Sequence, residues 1–116
     1  MWGWNLNLQS YATAAGYDEA FAIASVLIRA VEPTAAVKDC LILPYYKTEG
    51  QYGIRLTLSA PSLEEAYRTL LGLAPSWSMS ETGDEASAIW DGRVDGPNRI
   101  VELTWMHLNL LQLSDD

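Results

Sequence analysis

Reactive and basic side chains are scarce in this sequence. Its 116 residues include one cysteine, one histidine, one phenylalanine and seven lysines or arginines. A single cysteine excludes an intramolecular disulfide. Cys40 stands in the apolar run Cys40-Leu41-Ile42-Leu43, which reads as a small buried hydrophobe and not as a nucleophile. His107 has neither a second histidine nor a cysteine at ligand spacing, so neither a metal site nor a Cys–His pair is expected. Glycine-rich phosphate loops and the G-x-S-x-G nucleophile elbow are absent. No apolar run approaches the roughly 18–20 residues that cross a bilayer. The start, MWGWNLNLQS, has neither the basic nor the apolar segment of a signal peptide. The chain is therefore expected to be cytoplasmic and non-enzymatic, with no cofactor and no metal.

The basic deficit is uneven. Fifteen acidic residues against the seven basic ones give a net charge of −8, the opposite of the balance that direct nucleic-acid binding needs. Residues 77–116 hold eight acids (Glu81, Asp84, Glu85, Asp91, Asp95, Glu102, Asp115 and Asp116) against Arg93 and Arg99. Most of the excess negative charge thus falls in the last third. Catalytic carboxylate pairs need one acid held in a dry cleft beside another that stays ionised. Glu64-Glu65 read instead as first-turn helix residues, and Asp84-Glu85 and Asp115-Asp116 as a turn and a tail. Asp91 and Glu102 follow strand periodicity and read as an exposed sheet face.

What is present is enough for a core. The length suits one domain, residues 1–116, and a hydrophobic content of 49% argues against disorder. The most apolar stretch, Asp18 to Val31, carries Phe21, Ala24, Ile28 and Val31 on one helical stripe and Ala20, Ile23, Leu27 and Ala30 beside it. Such a helix is expected to be buried over most of its surface. Asp18 and Glu19 suit its first turn, and Pro33 its end. Before it, Trp2 to Leu8 alternate as a half-buried strand. After it, residues 36–46 form a strand whose continuously apolar centre suggests that both faces are covered or that it lies mid-sheet, with Pro44 at a bulge or end. Tyr52 to Ser59 alternate cleanly and pair with that strand in a hairpin. Ser62 with Glu65 reads as a capping box opening a second helix, which Gly72 and Pro75 stop. Residues 77–81 and 86–91 form a second hairpin. In the last element, Ile100–Leu113, the apolar parity switches near Trp105-Met106, which favours a bulged strand over a helix.

This order predicts an α+β fold: a ferredoxin-like two-layer sandwich (βαββαβ), with an antiparallel sheet and two helices on one face, extended by a C-terminal β-hairpin.

The aromatic set is the remaining signal. Five Trp and six Tyr accompany the one Phe, and Trp and Tyr suit surfaces that are half wet. Size, acidity and the lack of a catalytic motif are similar to those of bacterial immunity proteins. That resemblance implies an inhibitor that neutralises a cationic toxin, such as a nuclease, by occluding its substrate cleft. The candidate partner-binding residues are Glu81, Asp84, Glu85, Asp91, Asp95 and Glu102 for charge, with Trp90 and Trp105 as anchors, and the partner is a basic protein. Two further readings are a nucleic-acid mimic that inhibits a host defence complex, and a ferredoxin-like small-molecule binder. The pocket of the latter would lie between sheet and helices, lined by Tyr45, Tyr46, Arg55 and Trp105. Assembly into an oligomer through an exposed sheet edge is a fourth.

Overall fold

The computed structural model describes residues 3–45, 49–82, 85–92 and 102–113. In chain order the elements are β1 (Gly3–Thr13), α1 (Tyr17–Val31), β2 (Ala36–Pro44), β3 (Gln51–Ala60), α2 (Leu63–Leu73), β4 (Ser78–Thr82), β5 (Glu85–Asp91) and β6 (Leu103–Leu113). The six strands form one sheet in the order β2-β3-β1-β6-β5-β4, and every neighbouring pair is antiparallel. The fold is α+β, and its sheet is larger than that of a plain ferredoxin-like fold.

Alternation decides the two faces. Leu6, Leu8 and Ala12 of β1, Ile54, Leu56 and Leu58 of β3, and Met106, Leu108 and Leu110 of β6 are buried and lie in register across the sheet. They face α1 and α2, which contribute Ala20, Ala24, Leu27, Ala66, Leu70 and Leu73 to the same core. The helices approach closely where Gly72 passes Ala30: a Cβ at Gly72 would meet the Ala30 carbonyl at 3.7 Å. Ser10, fully buried on this face, donates its hydroxyl to the Ile54 carbonyl at 2.9 Å, so the group is not left unsatisfied. Among the described residues no helix is long and apolar enough to cross a membrane.

Local chemistry fixes the helix ends. The Ser62 hydroxyl accepts from the Glu65 amide at 3.2 Å, as the capping pattern requires. The Glu65 carboxylate turns to Arg68 at 2.9 Å, and Glu64 reaches the same guanidinium at 2.8 Å. At the other end of α2 the Trp77 indole N–H donates to the carbonyls of Leu70 and Ala74, at 3.0 and 2.9 Å. The Leu70 carbonyl also accepts from the Ala74 amide at 3.3 Å, and the Ala74 carbonyl lies past the end of the helix where intrahelical donors run out, so this tryptophan acts as a cap.

Four expectations are corrected. The strand beside β1 is not β4, as the expected βαββαβ order with a C-terminal hairpin requires, but β6, and β5 and then β4 extend the sheet outward from it. β2 is not covered on both faces but is an edge strand, with Leu41 at 44% and Leu43 at 53% exposure. A continuous apolar run shows that a strand packs somewhere, not that it lies mid-sheet. Cys40, in that edge strand, is exposed and free, and not a core residue. Phe21 is 62% exposed, because α1 buries the stripe through Ala20, Ile23, Ala24, Leu27 and Val31 and leaves its flank uncovered. The parity switch in β6 is real. It falls at Thr104, between Leu103 opposite Ala12 and Trp105 opposite Tyr11.

Candidate binding surface

Both helices lie on one face of the sheet, so among the described residues its opposite face has no helical cover. That open face carries the alternate residues: Asn5, Asn7, Gln9 and Tyr11 of β1, Arg55 and Thr57 of β3, and Trp105, His107 and Asn109 of β6. It is mostly polar at its centre and aromatic at one end.

The aromatic end is built by three segments, two of them on neighbouring strands and the third reaching across β3. Tyr11 lies in β1, Trp105 pairs with it from β6, and Tyr45 follows the end of β2. Their rings make a tilted series, with Tyr11 and Tyr45 centroids 4.7 Å apart and Tyr11 and Trp105 5.4 Å apart. His107 continues it at 6.0 Å from Trp105. The bulge at Thr104 makes this possible: one extra residue turns Trp105 to the open face while Leu103 stays in the core. The Thr104 hydroxyl donates to the Tyr11 carbonyl at 3.3 Å and Gly92 N–H donates to the Thr104 carbonyl at 3.1 Å, pinning the bulge from both sides.

A groove of about 760 Å³ runs along this end, lined by Tyr11, Tyr45, Gln51, Asp91, Thr104 and Trp105. Asp91 ends β5 opposite Trp105, which puts a carboxylate beside the indole. Further along the open face, the Asn109 side-chain oxygen is buried with no donor among the described residues. An acceptor in that state gains from any donor that reaches it.

The residues singled out from the sequence divide as follows. Asp91 and Trp105 come together, and Glu102 is exposed just before β6, its carbonyl held by the Thr13 amide at 3.0 Å. Glu81 and Glu85 are backbone members of the β4–β5 hairpin, opposite Ala86 and Thr82. Asp84 and Asp95 lie outside the described residues. Trp90 is on the helix-facing side of β5 and 2% exposed. It belongs to the core and offers no surface to a partner in the folded state. A Cβ at Gly92 would come within 3.1 Å of its ring, so the chain leaves β5 tightly against the indole.

Tyr45 was grouped with Trp105 from the sequence, but as the lining of a pocket between sheet and helices, whereas Tyr11 was legible only as an aromatic residue on an alternating strand. The space between sheet and helices is filled by core side chains. Tyr45, Arg55 and Trp105 lie on the far side of the sheet from it, and Tyr46 lies outside the described residues. No group of three or more potential metal ligands occurs among the described residues. No family model matches the chain, and no curated protein or solved structure matches it at a significant level.

Proposed function

We propose that this chain is a non-enzymatic acidic binding protein of the immunity type. In this reading it acts in the cytoplasm and neutralises a cognate cationic toxin, a nuclease domain, by covering its substrate cleft. The observation that carries the proposal is the uncovered sheet face, where Trp105, Tyr11 and Tyr45 stand in one series with Asp91 beside them. Interface anchors are most often aromatic, and charge around them steers the encounter. The net charge of −8 supports a basic partner. The occluded area would need to be about 800 Å² on each side for a standard stable complex, a demand that an open six-stranded face can meet. Glu81, Asp84, Glu85, Asp95 and Glu102 would supply the surrounding field.

We also read the path β1-α1-β2-β3-α2-β6 as a ferredoxin-like core. It has β1 between β3 and β6, and the β4–β5 hairpin is an insertion that widens the sheet.

The test is capture of partners from native lysate on the immobilised protein, at low and then at high salt, followed by an activity assay on what is retained. The expected result is one basic protein, held near equimolar amount and released by salt. Its nuclease activity should end at one equivalent of wild-type protein and persist with Trp105→Ala. Retention of no basic protein, or a retained protein whose activity is untouched, would overturn the proposal.

A further inference from the structure

The other half of the open face, between β2, β3 and β1, carries a second feature, of which the toxin reading uses only Tyr11 and Tyr45. We propose that the depression walled by Tyr11, Leu41, Leu43 and Tyr45, with Arg55 at its side, is a binding site for a small aromatic carboxylate.

The charge argument comes from Arg55. It is exposed on the open face of β3, opposite Leu41 on one side and Gln9 on the other. No carboxylate among the described residues pairs with it, whereas Arg68 is held by two glutamates at 2.8 and 2.9 Å. In a chain of net charge −8, a guanidinium placed beside apolar walls and left unpaired is an attractive point for an anion. Its planar fork matches a carboxylate in two parallel hydrogen bonds.

The walls supply the aromatic preference. The Tyr11 and Tyr45 rings lie 4.7 Å apart at 41°, a spacing at which a further ring can pack against an edge or a face. Leu41 and Leu43 face them from the edge strand with about half of their surface still in water, and a ligand ring would remove that exposure. Gly53 forms the floor. A Cβ there would touch the Tyr11 ring at 3.6 Å and the Leu43 carbonyl at 3.7 Å, so the missing side chain keeps the depression open. Its volume of about 240 Å³ is below the roughly 300–1,000 Å³ of pockets for drug-sized ligands. The fitting occupant therefore has one or two fused rings and a single acid group.

This site shares Tyr11 and Tyr45 with the groove at Asp91 but not Asp91, Glu102 or Trp105, and its test needs no protein partner. The full chain is titrated calorimetrically with 2-naphthoate and with its neutral counterpart 2-naphthamide. The same titrations are run on Arg55→Gln and Leu43→Glu, both at exposed positions, with folding checked by circular dichroism. The expected result is one equivalent of naphthoate bound, with the amide at least tenfold weaker. Arg55→Gln should weaken naphthoate at least tenfold and leave the amide unchanged, and Leu43→Glu should remove both. Absence of naphthoate binding, equal binding of acid and amide, or undiminished affinity in Arg55→Gln would each overturn the assignment.

Discussion

Trp90 and Trp105 sit fifteen positions apart on neighbouring strands, yet their replacement should have opposite consequences. Trp90 is 2% exposed on the helix-facing side of β5, among the largest fully enclosed side chains of the fold. Truncating such an aromatic to alanine removes its burial and leaves a cavity, a combined cost of about 3–5 kcal/mol. A domain of this size has about 5–15 kcal/mol in total, so Trp90→Ala should forfeit about a fifth or more of its stability. With a urea slope of about 1–3 kcal/mol/M, the unfolding midpoint should fall by about 2 M. Trp105 is only partly buried on the open face and touches Tyr11 and His107. Its loss should cost the ring contacts, about 0.5–1.5 kcal/mol, with a smaller loss of burial than at Trp90. The assay is equilibrium urea unfolding followed by far-ultraviolet circular dichroism, which avoids reading through the deleted chromophores. The slope should stay the same in all three proteins, so that midpoint differences report stability. Equal midpoints for the two variants, or a Trp90→Ala protein as stable as wild type, would refute the assignment of Trp90 to the core and Trp105 to the surface.

Other outcomes follow from the same geometry. Ser62→Ala should destabilise by about 1 kcal/mol, the usual worth of an N-cap hydroxyl, read as a small fall in thermal midpoint. Cys40 should react fully with Ellman's reagent in the native state, because it is exposed. Partial burial and then the Asp39 carboxylate raise its thiol pKa, so the rate should rise at a higher pH than for free cysteine, and Asp39→Asn should move that profile down. A nine-residue edge strand with two exposed leucines invites strand-to-strand association. Leu43→Lys should lower any concentration-dependent growth in size seen by light scattering. If a partner is captured, neutralising Asp91, Glu102 and Glu81 together should slow association and flatten its salt dependence; an unchanged rate would remove the electrostatic part of that proposal.

Much of the architecture was legible because it rests on local rules. The alternation of Tyr52 to Ser59 placed β3 and its buried face, Ser62 and Glu65 placed the start of α2, and the parity switch in residues 101–110 betrayed a bulged strand. What was not legible depends on neighbours distant in sequence. Cys40 and Leu41 read as core because their run is apolar. Their exposure follows from β2 lying at the sheet edge, which no residue in 36–44 encodes by itself. Phe21 shares a stripe with buried alanines, but helix packing chose a stripe centred elsewhere on α1. Trp90 and Trp105 are chemically alike, and only strand register separates them. The same holds for the aromatic series: its three rings come from residues 11, 45 and 105, brought together by pairing across some hundred positions.

That pairing also governs when the molecule can exist. β1 is bordered by β6, and Gly3 lies opposite Leu113. During synthesis the earliest strand must wait with one margin unpaired until residues 103–113 have left the ribosome. The β4–β5 hairpin reaches the sheet only through β6, so it waits too. Contacts this remote in sequence slow folding, and an apolar strand margin held open meanwhile is a template for wrong partners. The nascent chain is therefore most vulnerable once β1 to β5 have emerged and β6 has not, and shielding by a chaperone at that stage should raise its yield.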